Sequence, residues 1–220
     1  MTPAWATDAA FPGTRRQWTV LRAIHAIEPA FAAVALIMLA PLMILIALTI
    51  AALARRSPLV RHLRVGWRGA PLRVLKFRTM WEPGAARSPL LTIEEVGGFV
   101  PAEKTLGDAR VTSRFAAWCR RHSLDELPQL VNVARGEMSF VGPRPITRAE
   151  LDTYYGQSAD EVLSMRPGLA GLWQIMGRNR LGYGQRRRLD VFLVRTISVK
   201  LYAKILLRTV PLILIGDGAY

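Results

Sequence analysis

The sequence predicts an α+β fold, mostly α-helical: a re-entrant membrane helix followed by a small cytosolic domain with amphipathic helices at the interface. Three observations carry that expectation. Residues 29–54 hold no charged side chain, reading PAFAAVALIMLAPLMILIALTIAALA. The net charge of +14 lies entirely outside that block. The remainder is cut by Pro and Gly into short helical and extended runs and ends on an amphipathic helix. At 220 residues the chain has room for one globular domain and a membrane element, not two full domains. Composition divides it into a cytosolic N-terminal segment (1–28), the membrane helix (29–54) and a domain (55–220).

The apolar block exceeds the roughly 20 residues needed to cross a hydrocarbon core. It is too long and too far into the chain for a cleaved signal peptide, and apolar on every face, unlike a core helix. Pro41, near its middle, removes a backbone hydrogen bond and bends the helix. Arg15, Arg16 and Arg22 precede it; Arg55, Arg56, Arg61 and Arg64 follow. The positive-inside tendency favours both clusters on the cytoplasmic side, which a helix that dips in and returns allows. A single straight span is the competing reading.

Past the membrane block, Arg68 to Pro71 reads as the turn of a hairpin between two short extended runs. Residues 81–109, rich in Pro and Gly, read as an irregular surface excursion. Helices are expected over Thr112–Arg121 and about Leu124–Arg135, the latter stopped by Gly136, then a rigid turn at Gly142–Pro145 and a helix over Leu151–Met165 ending before Pro167. In Val199–Ile215, Lys200, Lys204 and Arg208 repeat every fourth residue beside a broad apolar face. That pattern suits a helix on a membrane surface, and equally one capping the core.

Of the 30 basic side chains 26 are Arg. This suits bidentate phosphate contacts, although codon bias explains it as well. The single Cys119 excludes an internal disulfide framework and fits a reducing compartment. With His25, His62 and His122 scattered, no metal cluster forms from these types. No nucleic-acid fold signature is present.

The stretch Arg120–Pro145, RRHSLDELPQLVNVARGEMSFVGPRP, is the most informative. Asp125 and Glu126 are adjacent carboxylates behind Arg120 and Arg121. One reading is a capping box, with Ser123 capping a helix and Glu126 bonding back. The other is chemical: one carboxylate attacks phosphorus and the other holds a divalent cation, beside the anion-accepting N–H groups of a helix N-terminus. Lys76, Arg78, Arg144 and Arg178 are further phosphate candidates, each alternatively a solvated surface charge. Pro143 and Pro145 restrict the backbone around Arg144. Trp173 suits either base stacking or a buried position.

LKFRTM (75–80), SLDELPQL (123–130), RGEMSFVGPRP (135–145), RPGLAGLWQIMGR (166–178) and the ending KILLRTVPLILIGDGAY together resemble the bacterial sugar transferase family, the monotopic phosphoglycosyl transferases that initiate exopolysaccharide and O-antigen units. The match runs in order from about residue 30 to the C-terminus and resembles the short, single-domain members. The resemblance implies that 55–220 is a catalytic domain on the cytoplasmic face of the bacterial inner membrane. It makes Asp125 the nucleophile of a covalent phosphosugar intermediate and Glu126 the ligand of Mg2+, with Lys76, Arg120, Arg144 and Arg178 at positively charged active-site positions; Arg78 stays a phosphate candidate from the residues themselves. It implies a UDP-sugar donor, UDP-glucose or UDP-galactose favoured, and undecaprenyl phosphate as acceptor. Expected partners are these two substrates and membrane lipid, with no nucleic acid; a homodimer and other polysaccharide-assembly proteins stay open. One departure is Ala40 before Pro41, where the family commonly has Ser-Pro. A membrane-tethered binding or scaffold module without catalysis is the alternative, and it would not need the Asp125–Glu126 pair.

Overall fold

A computed structural model describes residues 14–81, 89, 92–96, 111, 113–177 and 181–216. Its first element, α1 (Arg15–Ala54), is one hydrogen-bonded helix of 40 residues, so residues 15–28 are helical in continuity with the apolar run. Thr14 and Gln17 form a reciprocal capping box that starts it, and Arg55 in the left-handed region ends it. Helical assignment continues through Pro29 and Pro41, each of which deprives the carbonyl four residues earlier of its donor.

Most of α1 faces outward. Ile37 and Met38 are 75% and 76% exposed, flanked by exposed Phe31, Val34, Ile44, Leu45 and Leu48. Such an apolar surface is untenable in water and suits lipid. Yet the helix is also part of the fold. Leu21 packs among Val141, Leu193 and Ile205; Ala32 against Leu72, Val74, Val133 and Met138; Ile46 and Ile50 against Phe77 and Cys119. Glu28, buried on α1, accepts hydrogen bonds from Ser139 Oγ, the Phe140 N–H and the Tyr202 hydroxyl. One carboxylate thus ties the helix to two other elements of the domain.

The hairpin expected at 55–80 forms. Strands β1 (Leu59–Val65) and β2 (Pro71–Phe77) pair antiparallel with Val65 opposite Pro71, around a turn in which Arg68 takes a positive φ of 56°. The expected irregular excursion is corrected at one point. Glu94–Val96 forms β3, parallel to β1, in a sheet ordered β2-β1-β3. Glu94 is held there by Arg56 and Arg78, both at 2.9 Å.

Helix α2 (Arg114–Arg121) starts at Ser113, whose hydroxyl accepts from Ala116 N–H. The following segment is a correction: it is not one helix. Leu124–Gln129 winds as a 3-10 helix, and only Leu130–Ala134 (α3) is α-helical. Pro128 lacks the N–H that an α-turn would use there. Gly136, at φ 72°, ends the run as expected.

Strands β4 (Ser139–Val141) and β5 (Gly168–Ala170) form a second, parallel pair. They approach so closely at Gly142 and Gly168 that a Cβ on Gly142 would stand 2.2 Å from the Arg166 carbonyl oxygen. Glycine is obligatory there, and the approach fixes the turn that carries Arg144. The helix expected over 151–165 is instead a π-turn (Leu151–Tyr155) following the short α4 (Arg148–Glu150), then a 3-10 turn (Gly156–Ser158) at which Gly156 takes a positive φ, and α5 (Ala159–Leu163). Helices α6 (Leu172–Met176), α7 (Tyr183–Thr196) and α8 (Val199–Ile215) complete the domain. The core-capping reading of α8 holds on one face, and the opposite face is left exposed. Tyr202 and Ile205 enter the core, while Lys200, Lys204 and Arg208 are exposed with Leu207, Val210, Leu214 and Ile215.

Candidate functional site

The dyad lies where α2 gives way to the 3-10 helix. Ser123 adopts a left-handed conformation (φ 54°, ψ 21°), and its side chain makes no capping bond; its carbonyl accepts from Glu126 N–H instead. The capping-box reading is therefore corrected: a cap residue needs an extended backbone, and this one turns the chain. A helix N-terminus as anion site falls with it, since the 3-10 helix spans only six residues. Glu126 points across to β2, where Lys76 Nζ donates to its Oε1 at 2.7 Å. Asp125 is 8% exposed. Burial pushes the neighbouring Cys119 thiol up to about 12, with the Asp125 charge adding to the effect. Leu124 and Leu127 flank the dyad and pack with Ile46 and Ile50, so the later half of α1 forms the floor of this corner.

Asn132 fixes the corner's shape and was not singled out in the sequence. It is buried on α3 at the free edge of β2. Its amide nitrogen donates to the Arg73 carbonyl (2.9 Å), and its amide oxygen accepts from Leu75 N–H (3.1 Å). The side chain replaces a missing strand and holds Lys76 level with Glu126.

The phosphate candidates separate. Arg78 is not a solvated charge: it is 5% exposed, donates through Nε to the Ser57 carbonyl at 2.7 Å and pairs with Glu94. This is the binding pattern of a brace between β2 and β3. Arg120 is half-buried on α2, with Nε lacking a hydrogen-bond partner. Arg178 lies outside the described residues.

Arg144 belongs to a second group, which gathers two further residues missed in the sequence. Its backbone N–H donates to Asp190 Oδ1 at 3.4 Å, and its guanidinium lies 4.8 Å from the Trp173 ring centroid. Trp173 is thus a platform for arginine. Arg186, from α7, stands over the same ring at 5.6 Å. Asp190 is fully buried, takes the Tyr155 hydroxyl at 2.8 Å and is pushed up to about 7, mainly by burial. The i, i+4 spacing of Arg186 and Asp190 on one face of α7 was the available signal. Positive charge links the two groups. His62 on β1 is held neutral, down to about 3, by burial first and then by Lys76, Arg64 and Arg78; Arg64 in turn lies within electrostatic reach of Arg144.

Comparison with known proteins gives this arrangement a context. The family described as bacterial sugar transferase matches residues 20–216. The exopolysaccharide production protein ExoY of Rhizobium meliloti is 39% identical over 86% of this chain and 84% of its own length. A UDP-glucose:undecaprenyl-phosphate glucose-1-phosphate transferase of Caulobacter vibrioides is 42% identical over 82% of this chain and 66% of its own. An undecaprenyl-phosphate galactose phosphotransferase of Salmonella typhimurium is 38% identical over 72% of this chain, which spans 34% of that longer protein. With the matched region covering most of α1, both sheets and α8, the chain belongs to the bacterial sugar transferase family.

Proposed function

We propose that the chain transfers a hexose 1-phosphate from a UDP-sugar to undecaprenyl phosphate, giving undecaprenyl diphosphate-sugar and UMP, as the first membrane step of exopolysaccharide or O-antigen synthesis. The observation that carries this reading is the dyad. Asp125 and Glu126 are not spent on a helix cap, and Glu126 faces a lysine across two elements. The names of the relatives, glucose-1-phosphate and galactose transferases to undecaprenyl phosphate, support the substrate classes.

In this reading an Asp125 carboxylate oxygen attacks the phosphorus that bears the sugar. The bond from that phosphorus to the bridging oxygen breaks, and UMP leaves with the electron pair. A phosphate oxygen of undecaprenyl phosphate then attacks the same phosphorus, the aspartyl–phosphorus bond breaks, and the carboxylate is regenerated. Lys76 and Arg120 offset the charge that builds on the phosphoryl oxygens. Partial burial excludes competing water from Asp125.

Magnesium fits the donor set. Among the described residues no three His, Cys, Asp or Glu side chains converge, so the dyad offers at most two carboxylates. That suits an ion held by one or two carboxylates plus substrate phosphates and water. Glu126, with Asp125 beside it, would hold the ion, which when bound neutralises diphosphate charge.

The membrane placement belongs to the same proposal. Segments of α1 before and after Pro41 pack against one domain, Ala32 on Leu72 and Val74, and Ile46 and Ile50 on Phe77. This supports a re-entrant helix with both ends on the cytoplasmic face of the inner membrane. Cysteines introduced at the exposed positions Thr14 and Arg55 should both resist a membrane-impermeant thiol reagent in intact cells. Labelling at residue 14 alone would establish a straight crossing. The activity itself is tested with purified protein, undecaprenyl phosphate, magnesium and a panel of UDP-sugars, scoring UMP release. No release with any sugar would leave the binding or scaffold alternative.

A further inference from the structure

The Arg144 group has an imbalance that the reaction outlined above does not use. Arg186 is only 6% exposed, and its Nε has no hydrogen-bond partner. Its guanidinium contacts ring faces, Trp173 at 5.6 Å and Tyr183 at 5.5 Å. Arg144 Nε is likewise buried without a partner. Among the described residues, no ion pair involves Arg64, Arg144 or Arg186. The two nearby carboxylates are engaged elsewhere. Asp190 accepts from the Tyr155 hydroxyl and the Arg144 backbone, and Glu150 accepts from the Thr147 N–H at 2.7 Å and its hydroxyl at 3.0 Å.

Taking a guanidinium out of water costs more than a cation–π contact returns, so ring contact alone does not offset two such burials. Repulsion adds to the cost: burial first, and then Arg144, draw the Arg186 guanidinium below its ordinary value. An arrangement of this kind is complementary to an anion that can accept from two planar forks at once, and phosphate oxygens match that geometry.

We propose that Arg144 and Arg186, both stacked on Trp173, form a two-fork site for a phosphate monoester or diphosphate, with Arg64 adding positive potential and Arg186 making a direct substrate contact. The proposal rests on the transferase reading only for the source of the anion: the diphosphate of the nucleotide sugar, or the phosphate of the polyprenyl acceptor. Trp173 and Tyr183 keep the guanidinium planes in place, so little side-chain entropy remains to be lost on binding.

The test is titration of the full chain in detergent, in an Asp125→Asn background so that no turnover occurs, with UDP and separately with undecaprenyl phosphate. Arg186→Gln should raise the Kd of one of these at least tenfold and leave the other within about twofold. The ligand affected identifies the source. Arg186→Lys keeps the charge but loses the fork, and should recover only part of the affinity. Melting temperatures establish folding; if Arg186→Gln does not fold, Arg186→Lys and Trp173→Phe carry the same comparison. A merely structural arginine would lower the melting temperature and leave both dissociation constants unchanged, and that result would overturn the proposal. The two readings fail separately. UMP release with anion binding indifferent to Arg186 removes this site and leaves the transferase. Arg186-dependent UDP binding with no UMP release from any UDP-sugar does the reverse.

Discussion

The two corners of the domain handle charge in opposite ways. Around the dyad, the cation and a carboxylate face each other directly, Lys76 to Glu126 at 2.7 Å. Around Trp173, two arginines contact one aromatic ring, and the buried carboxylate next to them binds a tyrosine and a backbone amide. The first corner carries internal compensation and a potential nucleophile. The second carries two arginines that form no ion pair among the described residues, with Asp190 and Glu150 in electrostatic reach but bonded elsewhere, on rigid supports. The difference suggests a division of labour between bond making at Asp125 and substrate holding at Arg144 and Arg186.

The strongest way to break that comparison is Asp125→Asn. The substitution keeps side-chain size and, because Ser123 rather than Asp125 turns the chain, should leave the melting temperature nearly unchanged. UMP release should fall by at least about three orders of magnitude. Protein incubated with radiolabelled UDP-sugar and no acceptor should lose its bound label. A stable variant that still turns over would remove the nucleophile from the first corner.

Next in size is Asn132→Leu, which tests whether the first corner is held from outside. The buried Leu75 N–H and the partly buried Arg73 carbonyl would lose their partner. At about 1–3 kcal/mol for each unsatisfied group, chemical denaturation should register a loss of roughly 2–4 kcal/mol. A neutral result would show that β2 needs no support at its free edge.

Arg144→Lys addresses the second corner. A point charge cannot reproduce a planar fork lying on Trp173. Catalytic efficiency should drop about tenfold, near 1.4 kcal/mol of transition-state binding, with the melting temperature little altered. Normal kinetics would mean that this corner supplies only diffuse potential.

The smallest effect is a pH slope. Burial raises the Asp190 carboxyl to about 7 in the folded chain, above its ordinary value of 3.8. The native state therefore binds the proton more tightly than the unfolded chain does, so stability falls as pH rises between those two values. Asp190→Asn should flatten that segment of a melting-temperature profile between pH 5 and 7, measured against wild type. An unchanged slope would place its origin elsewhere.

Much of this architecture was legible in the sequence. The uncharged run marked a long, outward-facing apolar helix, the Arg-Gly-Ala-Pro turn marked the hairpin, and the fourfold spacing of Lys200, Lys204 and Arg208 marked α8 to the residue. These are local patterns, and periodicity reports them directly. The misses share a different cause. Ser123 looked like a cap because Ser-Leu-Asp-Glu fits a capping box, but its backbone is left-handed, which side-chain identity does not announce. Strand β3 escaped because three residues inside a Pro- and Gly-rich stretch carry no alternation, and Glu94 is placed by Arg56 and Arg78 from distant positions. Asn132 takes its role from Arg73 and Leu75, distant in the chain, and no local spacing encodes that pairing; Arg186 and Asp190 offered only their i, i+4 spacing, while their partners Tyr155, Arg144 and Trp173 come from other elements.

Glu28 leaves one last consequence, for where the protein can be cut. Its carboxylate receives Ser139, Phe140 and Tyr202 from inside the domain, while Leu21, Ala32, Ile46 and Ile50 fill three separate parts of the interior. The long apolar helix is therefore also a wall of the globular part. A fragment starting at Arg55 would lack that wall. Ser139 and Tyr202 would lose their shared acceptor, and Val74, Val133, Met138 and Phe77 would face solvent. Removing the lipid-facing element to obtain a soluble enzyme should give an aggregating chain. Solubilisation has to come from replacing outward residues such as Ile37 and Met38 while keeping the helix.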